Sequence, residues 1–189
     1  NWGYGGPGGG GRIAVYYDTN AGFDLDNHAT AHGGCGPSNS KPAAVGTVYL
    51  KQTGQPGTLR IDSHGAAAGQ WTPLGVAGDT VFAVDHLVLK GSGVWAYTPH
   101  QMPIQAMSVS ILDGAVLSHM PATTTATYWL DLTVSGALTI DAASKIDVSA
   151  RGYVGGRTLG NTTAGASSNR AGGSYGGLGG LGSGSAAAG

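Results

Sequence analysis

The sequence predicts an all-β fold, a parallel β-helix with Gly-rich terminal arms, with a β-sandwich as the alternative. Three observations predict it. First, residues 130–151, LDLTVSGALTIDAASKIDVSAR, hold three very short runs of period-two alternation. Leu130, Leu132 and Val134 alternate with Asp131, Thr133 and Ser135; Leu138 and Ile140 with Thr139 and Asp141; Ile146 and Val148 with Asp147 and Ser149. Alternation of this kind marks strands with one buried and one wet face. The corners, Gly136 and Ala142-Ala143-Ser144, lack hairpin chemistry such as Asn-Gly, so the chain turns gently and winds into a coil of strands. Second, Gly supplies 36 of the 189 residues, 41% of the chain is hydrophobic and only 10% is charged. An average protein carries about a quarter charged residues. The composition suits stacked strands with tight corners and excludes a charged disordered chain. Third, no stretch carries a convincing amphipathic helix; even 21–32 alternates as a strand does.

The length is that of one domain. It divides into a Gly-rich N-terminal arm (1–11), a β core (12–151) and a Gly-rich C-terminal arm (152–189). Within the core, RIAVYY at 12–17 has strong β-branched and aromatic character. Asp18 to Gly22 is a turn, and Phe23, Leu25 and Ala29 continue as a short strand. Residues 32–42 form a loop rich in Gly, Ser, Asn and Pro. Strands follow at 46–51 and 58–62, joined by a turn. Residues 63–79 read as a long loop holding Trp71. Phe82, Val84, Leu87 and Leu89 carry the next apolar pattern, followed by 94–97. Residues 107–112 and 115–117 make a pair around Asp113-Gly114. The segments SGALTIDAASKIDVSA and GTVYLKQTGQPGTLRIDSHG resemble one another, a loose internal repetition at about one coil per 20 to 30 residues.

The phrases GGGGRIAVYYD, GTVYLKQ, GTLRID, LTVSGALTIDAASKIDVSARGYVGG and AGGSYGGLGG resemble Gly-rich segments of large secreted or surface-displayed bacterial proteins. Those are similar to right-handed parallel β-helix proteins of the adhesin or extracellular-matrix kind. The resemblance covers the two ends and the core, about half the chain, and not 63–103. It implies an extracellular or cell-surface location and a structural role. In those proteins the GGSYGG phrase precedes the GGGGRIAVYY phrase; here the order is reversed, as in a cut taken through a Gly-rich segment.

Net charge is -1, which argues against nucleic acid as a partner. No apolar run approaches the roughly 20 residues of a membrane span. Cys35 is the only cysteine, so no internal disulfide forms. Asn1 opens no signal peptide, so an export signal would be removed or lie upstream.

Asp18, Asp24 and Asp26, with Asn20 and Asn27, form an oxygen-rich stretch of the kind that binds Ca²⁺, although Asx-turns account for the same residues. His28, His32 and Cys35 are a weaker set for Zn²⁺. Asp62, Asp85, Asp113, Asp131, Asp141 and Asp147 recur near turns. They read as turn caps and surface solubilisers ahead of catalytic acids, so no catalytic residue is assigned. Trp71 and Trp95, with Trp129, Tyr97 and Tyr128, suit either sugar stacking or core packing. Tyr175, Leu178 and Leu181 recur at every third residue among glycines, which favours ordering against a partner surface. Trp2, Tyr4 and Tyr153 are further candidate subunit contacts. The expected function is an extracellular structural subunit that stacks on copies of itself, head to tail, or a segment of a surface adhesin. Its alternatives are a carbohydrate-active or a glycan-binding β-helix.

Overall fold

The computed structural model describes residues 5–36, 41–168 and 171–181. The fold is mostly sheet with almost no helix. In chain order the elements are β1 (Arg12–Tyr17), α1 (Leu25–His28), β2 (Thr47–Gln52), β3 (Thr58–Asp62), β4 (Trp71–Pro73), β5 (Phe82–Lys90), β6 (Trp95–Tyr97), β7 (Ile104–Leu112), β8 (Val116–Leu117), β9 (Leu132–Val134), β10 (Leu138–Ile140) and β11 (Lys145–Ile146). All of them lie in a first compact unit, Asn1–Ser118 with Asp131–Asp147. A second unit comprises His119–Leu130 and Val148–Gly189.

In the first unit a seven-stranded sheet runs β1-β2-β3-β5-β7-β10, with β9 also on β7, and a four-stranded sheet runs β11-β8-β6-β4. From β3 onward every pairing in both sheets is parallel. From β3 to β9 the chain alternates between the sheets, each strand from β5 on pairing with the one laid down two earlier; β9 and β10 then both lie beside β7, and β11 returns to β8. Tight corners permit this. Asp113 (φ 56°) and Gly114 (φ 86°) both take left-handed backbone, which swings the chain from β7 out of its sheet and into β8. The expected pairing of 107–112 with 115–117 therefore does not form: the two strands belong to different sheets, and this corner is not a hairpin turn.

The parallel register stacks like on like. Leu59, Leu87, Val109 and Leu138 form one column; Ile61, Leu89, Ile111 and Ile140 form a second. Thr72, Ala96, Leu117 and Ile146 form a third across the four-stranded sheet. Leu87, Leu89, Val109, Ile111, Ala96 and Leu117 are fully buried. Each such Leu or Ile stabilises the fold by roughly 1.5–3 kcal/mol through loss of apolar surface from water.

Three further expectations are corrected. The strands 46–51 and 58–62, expected as strand, turn and strand of one coil, form an antiparallel hairpin, Tyr49 opposite Leu59, so the large sheet is mixed. A tight turn with Gly54 at φ 75° and a Gln55 N–H to Gln52 carbonyl bond of 3.0 Å sends the chain back within one sheet. Residues 25–28 are one helical turn, not strand, because Asp24 caps it: its carboxylate accepts the Asp26 and Asn27 N–H groups, both at 3.1 Å. Buried Arg60 on β3 holds that turn down. Its guanidinium pairs with Asp26 and donates to the carbonyls of Leu25 (3.1 Å) and Ala29 (3.2 Å). Trp71 lies in a strand rather than a loop; parallel pairing with β6 and a Thr72 hydroxyl bond to the Val45 carbonyl fix it.

Gly8, Gly10 and Gly11 of the N-terminal stretch hydrogen-bond within the first unit. Gly10 donates to Ala44 at 2.9 Å, Gly34 to Gly8 at 2.9 Å and Gly46 to Ala31 at 2.7 Å. The three chain segments approach so closely that a Cβ on Gly10 or Gly46 would collide with backbone atoms of its neighbours. The second unit has little regular structure. Tyr153 is buried there, meets Tyr175 edge to face at 4.9 Å and accepts the Gly160 N–H at 3.1 Å.

Candidate functional site

The three register columns end unevenly. Their earlier members from β5 to β8 are sealed, but Leu138 is 48% exposed, Ile140 40% and Ile146 36%. The sequence reads these residues as core, and their alternation is that of core. They are open because β10 ends the seven-stranded sheet and β11 ends the four-stranded one. Among the described residues no neighbouring strand covers their outer side. The β10 edge, Leu-Thr-Ile, has no charge, no Pro and no bulge, the devices that normally keep an open edge from pairing.

The opposite edge of the large sheet is β1. The column Leu59–Leu87–Val109–Leu138 continues through Tyr49 to Ala14 on β1, and Ala14 is exposed. Because β1 is parallel to β2 and β2 antiparallel to β3, β1 runs opposite to β10. A β10 edge laid against a β1 edge in one continued sheet would pair antiparallel. On the β3 side the parallel strands are thus flanked by β2 and β1, where Leu50 and Ile13 pack against Ala29, Ala31 and Val48.

The acidic turn residues act largely as caps. Asp141 accepts the Asp113 N–H at 2.6 Å and the Ala143 N–H at 3.0 Å, while the Ser144 hydroxyl accepts the Gly114 N–H at 3.0 Å. The corner after β10 thereby clasps the corner after β7. The Asp113 N–H, then the Ser144 hydroxyl, hold the Asp141 carboxyl below the usual carboxylate range. Asp62 accepts the His64 N–H (2.7 Å) and Asp85 the Gly57 N–H (2.7 Å). Asp113 lies 3.8 Å from Lys90, and Asp147 pairs with Lys145 at 2.6 Å.

Among the described residues no three His, Cys, Asp or Glu side chains converge to hold a metal. Asp18 accepts the Thr53 hydroxyl and Asp26 pairs with Arg60. Asp24 is the helix cap, its carboxyl lowered first by the Asn27 side-chain amide at 2.7 Å. His28 packs on Phe23, His32 meets His64 edge to face at 5.7 Å, and Cys35 is exposed. Trp71 and Trp95 sit in register on β4 and β6, each half-buried, and Trp71 lies flat on Tyr97 at 4.3 Å. One face of Trp71 is therefore taken by packing. Trp2 and Tyr4 lie outside the described residues. Tyr153 is buried, which gives it a packing role; Tyr175 is 37% exposed, Leu178 77% and Leu181 76%.

No protein-family model, curated protein or solved structure matches the chain. The reading below therefore rests on the geometry above.

Proposed function

We propose that the chain is a right-handed parallel β-helical segment of an extracellular or cell-surface structural protein, and that it associates with copies of itself through its open sheet edges. The single observation that carries this is the exposure of Leu138, Ile140 and Ile146 at the end of columns sealed in the preceding rungs. Parallel strands returning to the same two sheets support the coil, and parallel crossovers are right-handed in about 98% of cases. The occupant that fits is a second copy. The same sheet supplies an unprotected edge at β10 and ends on its other side at β1, and a contact between different patches of identical chains repeats as an open filament where the rotation closes no ring. A net charge of -1 leaves little repulsion to oppose it. Exposed Leu178 and Leu181 add apolar surface in the second unit.

Sedimentation of the whole chain over a range of concentrations, with negative-stain microscopy, tests the proposal. Reversible association into linear particles is expected. Leu138→Lys with Ile140→Lys should leave monomers of unchanged circular dichroism. A wild-type chain that stays monomeric, or a double variant that assembles as well as wild type, would overturn it.

A further inference from the structure

A groove of about 760 Å³ lies in the first unit, with Tyr16, Tyr49, Lys51, Asp85, Gln105 and Thr133 in its lining. We propose that it binds a neutral oligosaccharide. Tyr16 is 71% exposed, and its ring stands 5.8 Å from that of Tyr49, tilted by 60°. An exposed aromatic face backed by a second ring suits the flat C–H face of a pyranose. Beside it Met107, also in the lining and 47% exposed, adds a soft apolar surface.

The polar part of the lining includes Gln105 and Thr133, in register on β7 and β9 with Ala83 next to them on β5, and all three are exposed. Adjacent strands lie about 4.8 Å apart, so an amide and a hydroxyl are offered at successive rungs, as a chain of hydroxyl-bearing units requires. The outward display has a local cause. In β7 the buried residues are Ile104 and Ala106, then Val109 and Ile111, so the inward face switches and leaves both Gln105 and Met107 outside.

The charge is balanced. Lys51 and Asp85 lie 3.8 Å apart, and Asp85 is anchored by the Gly57 N–H at 2.7 Å. One cation offset by one anion gives no pull on phosphate or uronate, yet supplies a donor and an acceptor for sugar hydroxyls. The volume falls within the roughly 300–1,000 Å³ of small-molecule sites.

Calorimetric titration of the whole chain with cellohexaose, xylohexaose, chitohexaose and, as the acidic comparator, hexagalacturonate tests this. At least one neutral hexasaccharide should saturate one site, and the acidic one should bind about tenfold more weakly or not at all. Tyr16→Ala should weaken binding about tenfold and Tyr16→Phe by less than about threefold, since the ring and not the hydroxyl does the stacking. Tyr16 is on the surface, and Gln105→Ala, also at an exposed position, should weaken binding without touching the aromatic wall. The Leu138→Lys, Ile140→Lys chain keeps every groove residue and should bind as wild type, which separates this site from edge association. No binding by any of the three neutral probes, undiminished binding by Tyr16→Ala, or equal affinity for hexagalacturonate would overturn the proposal.

Discussion

β7 and β10 lie side by side in one sheet and carry the same kind of sequence, SVSIL and ALTI, yet one is sealed and the other open. Val109 and Ile111 are fully buried; their register partners Leu138 and Ile140 are nearly half exposed. Nothing in the side chains makes the difference. A neighbour on both sides does. Burial in a stack of parallel strands is a property of position in the stack, so a run of perfect core pattern can be a binding surface. The other limit of the parallel stack teaches the complement. At β3 the chain folds its own hairpin and a one-turn helix over the edge, and Arg60 locks that cover in place.

The sharpest way to break the comparison is the same substitution at both rungs. Ile111→Ala should destabilise the chain by about 2–5 kcal/mol in urea unfolding, as deletion in a packed core does. Ile140→Ala, in dispersed protein, should cost less than half as much. Equal losses would mean that the β10 rung is covered in solution. Next, Arg60→Ala removes the two carbonyl bonds and the Asp26 pairing, with an expected loss of about 1.5–3 kcal/mol. Amide exchange should rise first in residues 25–31 and not in β7; a uniform rise would show that the cover and the parallel strands unfold as one.

A smaller effect contrasts the two units. Burial disfavours the charged imidazole of His119, with Arg151 adding to the effect, so its affinity for protons is lowered in the folded second unit. The unfolded chain then binds the proton more tightly. Stability present above the ordinary histidine range of about 6.5 should fall as pH drops through it toward the lowered native value. A melting series from pH 8 to about pH 5 should show the decline, and His119→Gln should flatten it. The smallest change is expected for Asp141→Asn at the clasp between the β7 and β10 corners. Its depressed carboxyl contributes stability above the ordinary aspartate range that is lost as pH falls through the native value. The variant's deficit in melting temperature should therefore be present at neutral pH and shrink as pH falls below the ordinary aspartate range.

Much of the sheet was legible. Alternation at 130–151 placed β9, β10 and β11, and the β-branched run at 12–17 placed β1, because period two is written into the side chains themselves. Topology was not. QTGQPG and LDGAV both read as turns, but only the first closes a hairpin; the second carries two left-handed residues that turn the chain between sheets. β4 was hidden because its pairing partner, not its own three residues, makes it a strand. α1 was hidden in the same way: its register holds only through Asp24 above and Arg60 below. As for sites, the turn-capping role of Asp62 and Asp141 could be read from their recurrence beside corners. The open rung could not, since core and edge share one pattern.

The packed glycines reverse the usual order of tolerance in a protein. Along 8–11, 31–34 and 43–46 the backbones themselves are the contact surface, and any side chain at Gly10 or Gly46 is an obstruction. A variant library of this chain should therefore be least forgiving where it is chemically plainest. An alanine in that layer would do more harm than a lysine on the open rung, and selection for folding would preserve an absence of atoms.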